Sequence, residues 1–388
     1  IKRYFSKYNK IKTINDNLID QIYKKKSVFH KPFFSIDSNI VGESYKEKLL
    51  KIKNYLNKNN SDFIFITAPE NVAWLLNIRG VDNPNSPIPN CHLLIDKRNN
   101  LYLICEKKKA KKIIVEKKIS EKQVIEFDNF EKLIKDLKGN KMIIDYKTCS
   151  LFFETVLRKK FKILKKEDPI YFLKSIKSNE EIKNMISSHI IDGAALTKFL
   201  YWIKIKNKKK ITEYEAQKKL EYFRKKNKKY LYPSFNTIAG TGSNGAIVHY
   251  RATKNNSKNI KKSDIFLCDS GGQYKYGTTD VTRTICFSKP KKRIKNIFTR
   301  VLKGHIAVFQ SDLTKYKTGK DIDIRARKFL KKINLDYAHG TGHGVGFFLN
   351  VHEGPQSISK FNKINIQEGM ILSNEPGFYK KNDFGIRI

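Results

Sequence analysis

Side chains that can bind a metal ion are concentrated in the last third of the 388-residue sequence. Two histidines lie four residues apart in His339-Gly-Thr-Gly-His343, and His352 follows. Asp269 and Asp280 precede them, and Glu375 comes after them. Aspartate, glutamate and histidine are ligands of divalent ions such as Mn²⁺, Zn²⁺ or Co²⁺. This combination predicts a metal site.

The backbone around these residues also favours a site. Three glycines fall within positions 340–344, where each would cost a regular helix ~1 kcal/mol, so they suit close approach of the backbone to a ligand. Asp269 ends the apolar run 265–268 and Asp280 begins the run 281–286, so two adjacent strands joined by a tight glycine turn would bring both carboxylates to one end. Close carboxylates repel unless a proton or a metal lies between them. Taken alone, the aspartate pair also fits an ordinary solvated loop.

The remaining histidines are interpreted as structural, because each stands without such neighbours. They are His30, His92, His189 and His305. We expect His189 to be a partly buried residue of a long helix.

Composition limits the class of protein. The length suits two domains, and 40% hydrophobic with 30% charged residues indicates a globular chain. No apolar run approaches the ~20 residues of a membrane-spanning helix, and no basic-then-apolar leader is recognisable. Residue 1 is Ile and not Met, so the true N-terminus is expected to be missing. The five cysteines stand singly, which predicts buried thiols in the reducing cytoplasm.

The net charge of +42 raises the question of nucleic acid binding. However, lysines are spread over every segment, as an AT-rich genome would produce, and aromatic residues are not interleaved as in a base-stacking surface. We therefore interpret the charge as solvated surface and expect neither nucleic acid nor a membrane as partner.

The elements that must position the site fall into two domains. A tail is expected at 1–35, followed by a domain at 36–172 with strands at 62–67, 100–105 and 142–145 and a helix from Pro69. Alternating strands and helices predict an α/β domain. From residue 173 a long helix capped by Ser178 and a second helix opened by the capping box Thr212-Glu-Tyr-Glu215 are expected. Glycine-punctuated strands at 245–250, 264–269 and 280–286 and a helix at 294–309 then predict an antiparallel sheet covered by helices.

Six motifs of the second domain resemble a known family. They are Asp269-Ser-Gly-Gly-Gln-Tyr274, Thr278-Thr-Asp-Val-Thr-Arg-Thr284, His339-Gly-Thr-Gly-His-Gly-Val-Gly346, Asn350-Val-His-Glu-Gly-Pro355, Asn374-Glu-Pro-Gly377 and Phe384-Gly-Ile-Arg-Ile388. Together they resemble the Xaa-Pro aminopeptidases (aminopeptidase P) of the long, three-domain type, within the pita-bread metallopeptidases. The resemblance implies an α/β (α+β) fold, with a creatinase-N-like α/β domain at 36–172 followed by a pita-bread catalytic domain at 173–388.

The resemblance also assigns roles to individual residues. It implies that Asp269, Asp280, His343 and Glu375 bind two divalent metal ions, with Asp280 bridging them. Mn²⁺ is the expected metal, and Zn²⁺ or Co²⁺ are alternatives. His249, His339 and His352 are implied to surround the substrate and steady developing charge, and Glu375 to transfer a proton. The implied reaction is hydrolysis of the N-terminal Xaa-Pro bond by a metal-activated hydroxide, and the implied partners are peptides with proline at position two.

The family pattern extends beyond both ends of this chain. A fifth ligand, a glutamate, follows Gly-Ile-Arg-Ile in the family, whereas this chain stops at Ile388. The first domain of the long type is also almost entirely absent, so we expect a fragment at both ends. A homodimer is left open.

Two other functions stay open. A prolidase-like Xaa-Pro dipeptidase would use the same ligands, although its interval corresponding to His343–His352 is usually two residues shorter. A non-catalytic pita-bread protein that binds nucleic acid or protein would usually have lost ligands, and so would the metal-free creatinases.

Overall fold

The computed structural model describes residues 5–10, 12, 14, 18–23, 31–206 and 210–388. His30 and part of the predicted tail 1–35 lie outside the described residues. Pro32–Ile388 form one compact unit, and Ile1–Lys31 form a separate unit in which α1 spans Leu18–Ile22. The two domains predicted on either side of residue 172 both lie in the large unit, and the position of their boundary stays a prediction.

The first part of the large unit is a mixed sheet covered by helices. Its strands are β1 (Phe34–Ser35), β2 (Phe63–Ile66), β3 (Ile78–Arg79), β4 (His92–Asp96), β5 (Leu101–Ile104), β6 (Val124–Ile125), β7 (Lys141–Ile144) and β8 (Lys162–Lys165). Its helices are α2 (Ser38–Val41), α3 (Tyr45–Lys58), α4 (Pro69–Leu75), α5 (Lys107–Val115), α6 (Phe130–Asp136), α7 (Leu151–Arg158) and α8 (Ile170–Ser175). Six strands form one sheet in the order β6-β5-β4-β2-β7-β8. The predicted strands near 62, 100 and 142 and the helix from Pro69 are confirmed.

Strand β2 shows why this sheet is covered on both faces. All four of its residues are buried. Ile64 and Ile66 contribute to one core, shared with α3, α4 and α5, whereas Phe63 and Phe65 contribute to a second core, shared with α6 and α7. Because successive side chains of a strand point to opposite faces, a continuous apolar run suits a strand between two helical layers.

The second part consists of antiparallel strand pairs and longer helices. Its strands are β9 (Tyr230–Pro233), β10 (Ile238–Thr241), β11 (Ile265–Ser270), β12 (Gly272–Tyr274), β13 (Gly277–Thr278), β14 (Val281–Cys286), β15 (Gly342–Gly344), β16 (Glu353–Ile358), β17 (Gly377–Lys380) and β18 (Phe384–Arg387). Its helices are α9 (Asn179–Lys206), α10 (Glu213–Lys225), α11 (Lys292–Phe309) and α12 (Gly319–Lys331). The sheets run β10-β11-β14, β13-β12-β9, β15-β16 and β17-β18. The predicted antiparallel sheet with covering helices is confirmed.

Helices α9 and α10 begin where the sequence predicts. The Ser178 hydroxyl accepts a hydrogen bond from the Glu181 amide at 3.1 Å. At α10 the Glu215 amide donates to the Thr212 hydroxyl at 3.2 Å, and the Glu215 carboxylate accepts from the Thr212 amide at 2.8 Å. Both arrangements satisfy amides that have no partner within the helix.

The Thr212 cap gives the first testable prediction. We expect Thr212→Ala to lower the free energy of unfolding by about 1 kcal/mol, because an orphan amide loses its acceptor. The shift of the urea midpoint measures this change. Thr212→Ser keeps the hydroxyl and serves as the matched control. An unchanged midpoint for the alanine variant would show that the cap contributes nothing.

Strands β11 and β14 place the two aspartates. Asp269 lies opposite Thr282 in the antiparallel pair, and Asp280 immediately precedes β14. Phe266 and Cys268 pack into the core under α9 and α10. Strand alternation therefore turns Asp269 to the opposite face.

Two local predictions are wrong. Residues 245–250 are not a strand, since a 3-10 turn occupies Gly242–Ala246 and irregular backbone follows. A Cβ on Gly385 would lie 1.8 Å from the Gly245 oxygen, so the backbones of the turn and β18 touch here. The segment between Asp269 and Asp280 is not a tight reversal, because it contains β12 and β13, which pair with each other, and β12 also pairs with β9 in another sheet.

Buried charges join the two parts of the large unit. The Arg79 guanidinium donates to the carbonyls of Phe348 at 2.5 Å and Phe347 at 3.0 Å. Lys174 donates to the Glu353 carboxylate at 3.0 Å, and Lys177 donates to its other oxygen. Lys174, Lys177 and Glu353, here called the buried triad, are all nearly inaccessible to solvent. They fix the start of β16, directly after His352.

The remaining predictions concern single residues. Cys91, Cys105 and Cys268 are buried thiols as predicted, whereas Cys149 and Cys286 are only half-buried. His189 is partly buried on α9, and its Nδ1 lies 2.8 Å from the Met185 carbonyl. Within the described ranges, no helix combines the length and apolar character that crossing a membrane requires.

Candidate functional site

The seven side chains singled out in the sequence line one pocket of about 460 Å³, here called the central pocket. They are His249, Asp269, Asp280, His339, His343, His352 and Glu375. The polypeptide reaches this pocket through β11, the start of β14, β15 and the segment before β17. Residues separated by more than a hundred positions are thus brought together by strand pairing.

His343 lies at the centre of the acidic groups. Its Nε2 lies 3.2 Å from the Asp280 carboxylate and 3.1 Å from the Glu375 carboxylate. Its Nδ1 lies 2.9 Å from the Gly344 carbonyl, and this contact fixes the ring. The Ser373 hydroxyl donates to Glu375 at 2.7 Å, which orients that carboxylate toward His343.

Asp269 is held from the other side by an arginine. The Arg387 guanidinium donates to Asp269 Oδ2 at 2.6 Å and lies 4.0 Å from Glu375. It also donates to the Tyr379 hydroxyl at 2.7 Å. The second oxygen of Asp269, Oδ1, is buried without a hydrogen-bond partner in the part of the chain that the structure describes. A buried oxygen of this kind is a free ligand position.

His339 and His352 differ in how many of their ring nitrogens make hydrogen bonds. His339 Nε2 lies 2.8 Å from the Tyr379 hydroxyl and its Nδ1 lies 2.7 Å from the Gly340 carbonyl. The His352 ring packs edge-on against His343, with centroids 4.0 Å apart. Neither nitrogen of His352 makes a hydrogen bond to the described residues. His352 therefore presents a free ring nitrogen to the pocket, and its position is set by the neighbouring Glu353 of the buried triad.

His249 lies on a loop that one buried carboxylate anchors. Glu213, fully buried at the start of α10, accepts hydrogen bonds from the Thr241 amide at 2.7 Å, the Tyr250 hydroxyl at 2.8 Å and the Lys258 amide at 2.8 Å. These bonds tie both ends of the loop to α10. His249 itself is exposed at the pocket wall.

The charged side chains of the central pocket favour a cation between them. Burial raises the pKa of Asp280 to about 6, although the hydrogen bond with His343 acts in the opposite direction. Burial disfavours a protonated His343, but its contacts with Asp280 and Glu375 prevail and raise its pKa to about 10. Burial would raise the pKa of Glu375, yet the His343 contact lowers it to about 2. The carboxylates thus stabilise positive charge between them.

The donor set also allows a metal ion. Oxygen and nitrogen atoms of Asp280, His343 and His352 all lie within 4.8 Å of one another. The free Oδ1 of Asp269 and the carboxylate of Glu375 face the same pocket. Carboxylate and imidazole ligands of this kind suit Mn²⁺ or Zn²⁺.

Three residues that shape the site escaped the sequence analysis as site residues: Arg387, Tyr379 and Glu213. Arg387 gave one signal, since a charged residue between Ile386 and Ile388 in an apolar strand needs a buried partner. Glu213 and Tyr379 gave none, because ordinary surface helices and strands contain the same residue types.

The two parts of the structure match two different domain families. Residues 24–181 match the creatinase/prolidase N-terminal domain, and residues 183–388 match metallopeptidase family M24. Over 394 residues the chain is 37% identical to Xaa-Pro aminopeptidase 1 of Dictyostelium discoideum, which covers 96% of this chain and 62% of that protein. The chain therefore spans about three fifths of the length of the curated relatives it matches.

Solved structures show the same likeness. X-prolyl aminopeptidase from Caenorhabditis elegans, described as a cytosolic enzyme with a di-nuclear active site, matches with a TM-score of 0.87 and 29% identity over 97% of this chain and 63% of that chain. Prolidase from Pyrococcus furiosus matches with a TM-score of 0.71 and 27% identity over 87% of this chain and 94% of that chain. The predicted resemblance and the predicted fold class, a creatinase-N-like domain followed by a pita-bread domain, are confirmed.

Proposed function

The chain belongs to metallopeptidase family M24, and on that basis we propose that it removes the first residue from peptides with proline at position two. The observation that carries the proposal is the convergence of all seven predicted side chains on the central pocket. The similarity to Xaa-Pro aminopeptidase 1 over 96% of this chain supports the substrate class.

Four side chains would hold the metal: Asp269, Asp280, His343 and Glu375. The fit rests on the carboxylates around His343 and on the free, buried Oδ1 of Asp269. We propose two ions, Mn²⁺ with Zn²⁺ or Co²⁺ as alternatives, because the Caenorhabditis elegans relative is described as having a di-nuclear active site. When bound, such ions supply Lewis acidity that lowers the pKa of water and polarises a carbonyl oxygen.

Glu375 is placed to move the proton of the reaction. Its lowered pKa keeps the carboxylate ionised at neutral pH, and the Ser373 hydroxyl fixes its direction. It would accept a proton from the attacking water and deliver it to the proline nitrogen as the peptide bond breaks. This protonation is needed because the proline nitrogen leaves as a neutral amine and not as a strongly basic amide anion.

His352 is the better placed of the two histidines to stabilise the oxyanion. Burial lowers the pKa of both His339 and His352, which favours the neutral form of both rings. Both nitrogens of His339 are already engaged by Tyr379 and Gly340. His352 retains a free N–H, which would donate to the developing negative oxygen.

This assignment predicts the effect of His352→Ala. Removing one oxyanion donor should lower kcat by ~10²–10³-fold, with KM changed only a few-fold, because the hydrogen bond from His352 to the oxyanion forms only in the transition state. Steady-state kinetics on an Xaa-Pro-Yaa peptide measure both constants. His189→Ala, on α9 and outside the pocket, is the matched control. A rise in KM with unchanged kcat would assign His352 to ground-state binding instead.

One assay separates the candidate functions. With Mn²⁺, the protein should release the first residue from Xaa-Pro-Yaa tripeptides and longer peptides and leave Xaa-Ala-Yaa intact. Cleavage of Xaa-Pro dipeptides alone would support a prolidase-like enzyme. Salt-sensitive binding of duplex DNA without peptidase activity would support a non-catalytic protein.

The proposed compartment is the cytoplasm. All five cysteines are free thiols, which suits a reducing environment. The Caenorhabditis elegans relative is described as a cytosolic enzyme.

A further inference from the structure

The central pocket continues into a second depression, here called the side pocket. The two share Asn236 and Arg251, and the side pocket has a volume of about 280 Å³. Lys218 of α10 and Lys254, three residues after Arg251, also line it. Any molecule that fills the central pocket and extends along this wall must pass Arg251.

The side pocket has an excess of positive charge. Its one acidic lining residue in the described part of the chain, Glu221, is already paired with Lys225 at 2.9 Å and lies 3.8 Å from Lys218. Arg251 and Lys254 are exposed, and neither has an ion-pair partner among the described residues. Two cations are therefore available for a carboxylate from outside.

The backbone holds Arg251 in place. On one side, the buried Tyr250 donates from its hydroxyl to Glu213 at 2.8 Å. On the other side, the carbonyl of the buried Ala252 accepts from the Gln217 side chain at 3.1 Å. Both anchors lie on α10. A guanidinium on a fixed backbone loses less conformational freedom when it binds a carboxylate.

We propose that Arg251, assisted by Lys254, selects peptides with a carboxylate one or two residues after the proline. This inference rests on the proposed function. An aminopeptidase accommodates one residue on the amino side of the broken bond, so the rest of the peptide must leave through an opening. The side pocket is such an opening, and an extended peptide advances ~3.3–3.6 Å per residue along it. The carboxylate is an Asp or Glu side chain or the free terminus of a short peptide.

The test compares the third residue of the substrate. For amidated Xaa-Pro-Glu-Gly, kcat/KM should exceed that for amidated Xaa-Pro-Lys-Gly by about 5- to 10-fold at low salt, as expected for a charge-assisted contact near the surface. The preference should shrink at 0.5 M NaCl. Xaa-Pro-Gln-Gly with a free or an amidated terminus separates the two carboxylate sources: faster cleavage of the free acid identifies the terminal carboxylate as a ligand.

Charge reversal provides the decisive comparison. Arg251→Glu should invert the ratio of kcat/KM for the Glu and Lys peptides. Arg98→Glu makes the same change of net charge on an exposed turn outside both pockets, and its ratio should equal that of the unmodified protein. Equal rates for all peptides, or an unchanged ratio in Arg251→Glu, would overturn the inference while leaving the proposed function intact. If no Xaa-Pro peptide is cleaved, the proposed function fails and the inference fails with it.

Discussion

Replacing Asp280 by asparagine should lower kcat/KM for Xaa-Pro-Yaa peptides by at least ~10³-fold, equivalent to ~4 kcal/mol of transition-state stabilisation. Asp280 contacts His343 at 3.2 Å and is one of the four side chains proposed to hold the metal. The amide has nearly the same shape but lacks the negative charge that compensates two dications. We therefore expect the variant to fold normally and to retain less metal.

Three measurements check this result. Kinetics at a fixed Mn²⁺ concentration give the loss of activity, elemental analysis gives bound metal per chain, and circular dichroism confirms folding. Asp128→Asn changes an exposed aspartate outside the pocket and should match the unmodified protein in all three. Undiminished metal content and activity in Asp280→Asn would falsify the assignment of this residue as a metal ligand.

Replacing Glu353 by glutamine should lower the free energy of unfolding by about 3–5 kcal/mol. Glu353, Lys174 and Lys177 are 6%, 3% and 5% exposed, so the glutamine would leave two ammonium groups buried together without a counter-charge. Burial would raise the pKa of Glu353, but the two lysines prevail and lower it, which favours the ionised carboxylate. Denaturant unfolding measures the loss.

Two variants make this prediction specific to the buried triad. Glu131→Gln removes a carboxylate 3.8 Å from Lys159 at the surface, with side chains 47% and 64% exposed, and should cost less than ~1 kcal/mol. Adding Lys177→Met to Glu353→Gln removes one stranded charge and should recover part of the stability. If Glu131→Gln and Glu353→Gln lower the free energy of unfolding by the same amount, the buried triad contributes no more to stability than a surface ion pair.

Features that depend on neighbouring residues could be predicted from the sequence. The starts of α9 and α10 follow from Ser178 and Thr212, because a cap involves a hydroxyl and an amide only three residues away. The position of Asp269 near the end of β11 follows from the short apolar run 265–268, and that of Asp280 directly before β14 follows from the strand-forming run 281–286. These features placed the two candidate aspartates close to the ends of neighbouring strands.

Features that depend on distant residues could not be predicted in this way. Arg387 meets Asp269 across 118 positions, and no local pattern encodes that meeting. Residues 245–250 have a strand-like composition, but the contact of Gly245 with Gly385 and the bond from Tyr250 to Glu213 impose a different backbone. Tertiary contacts override local propensity where they satisfy buried polar groups.

The contact of Arg79 with Phe348 has a consequence for biosynthesis. A ribosome releases Arg79 long before it adds the residue 269 positions later whose carbonyl this guanidinium requires. Until Phe348 has been added, the Arg79 guanidinium must stay hydrated. The α/β part therefore cannot complete its core around Arg79 while this segment is still missing. The turn at Phe347 and Phe348, four residues before His352, likewise gains these hydrogen bonds only when it docks on Arg79. The central pocket should therefore assemble only after Glu375, the last of its seven predicted side chains, has been added and the turn at Phe347 and Phe348 has docked on Arg79.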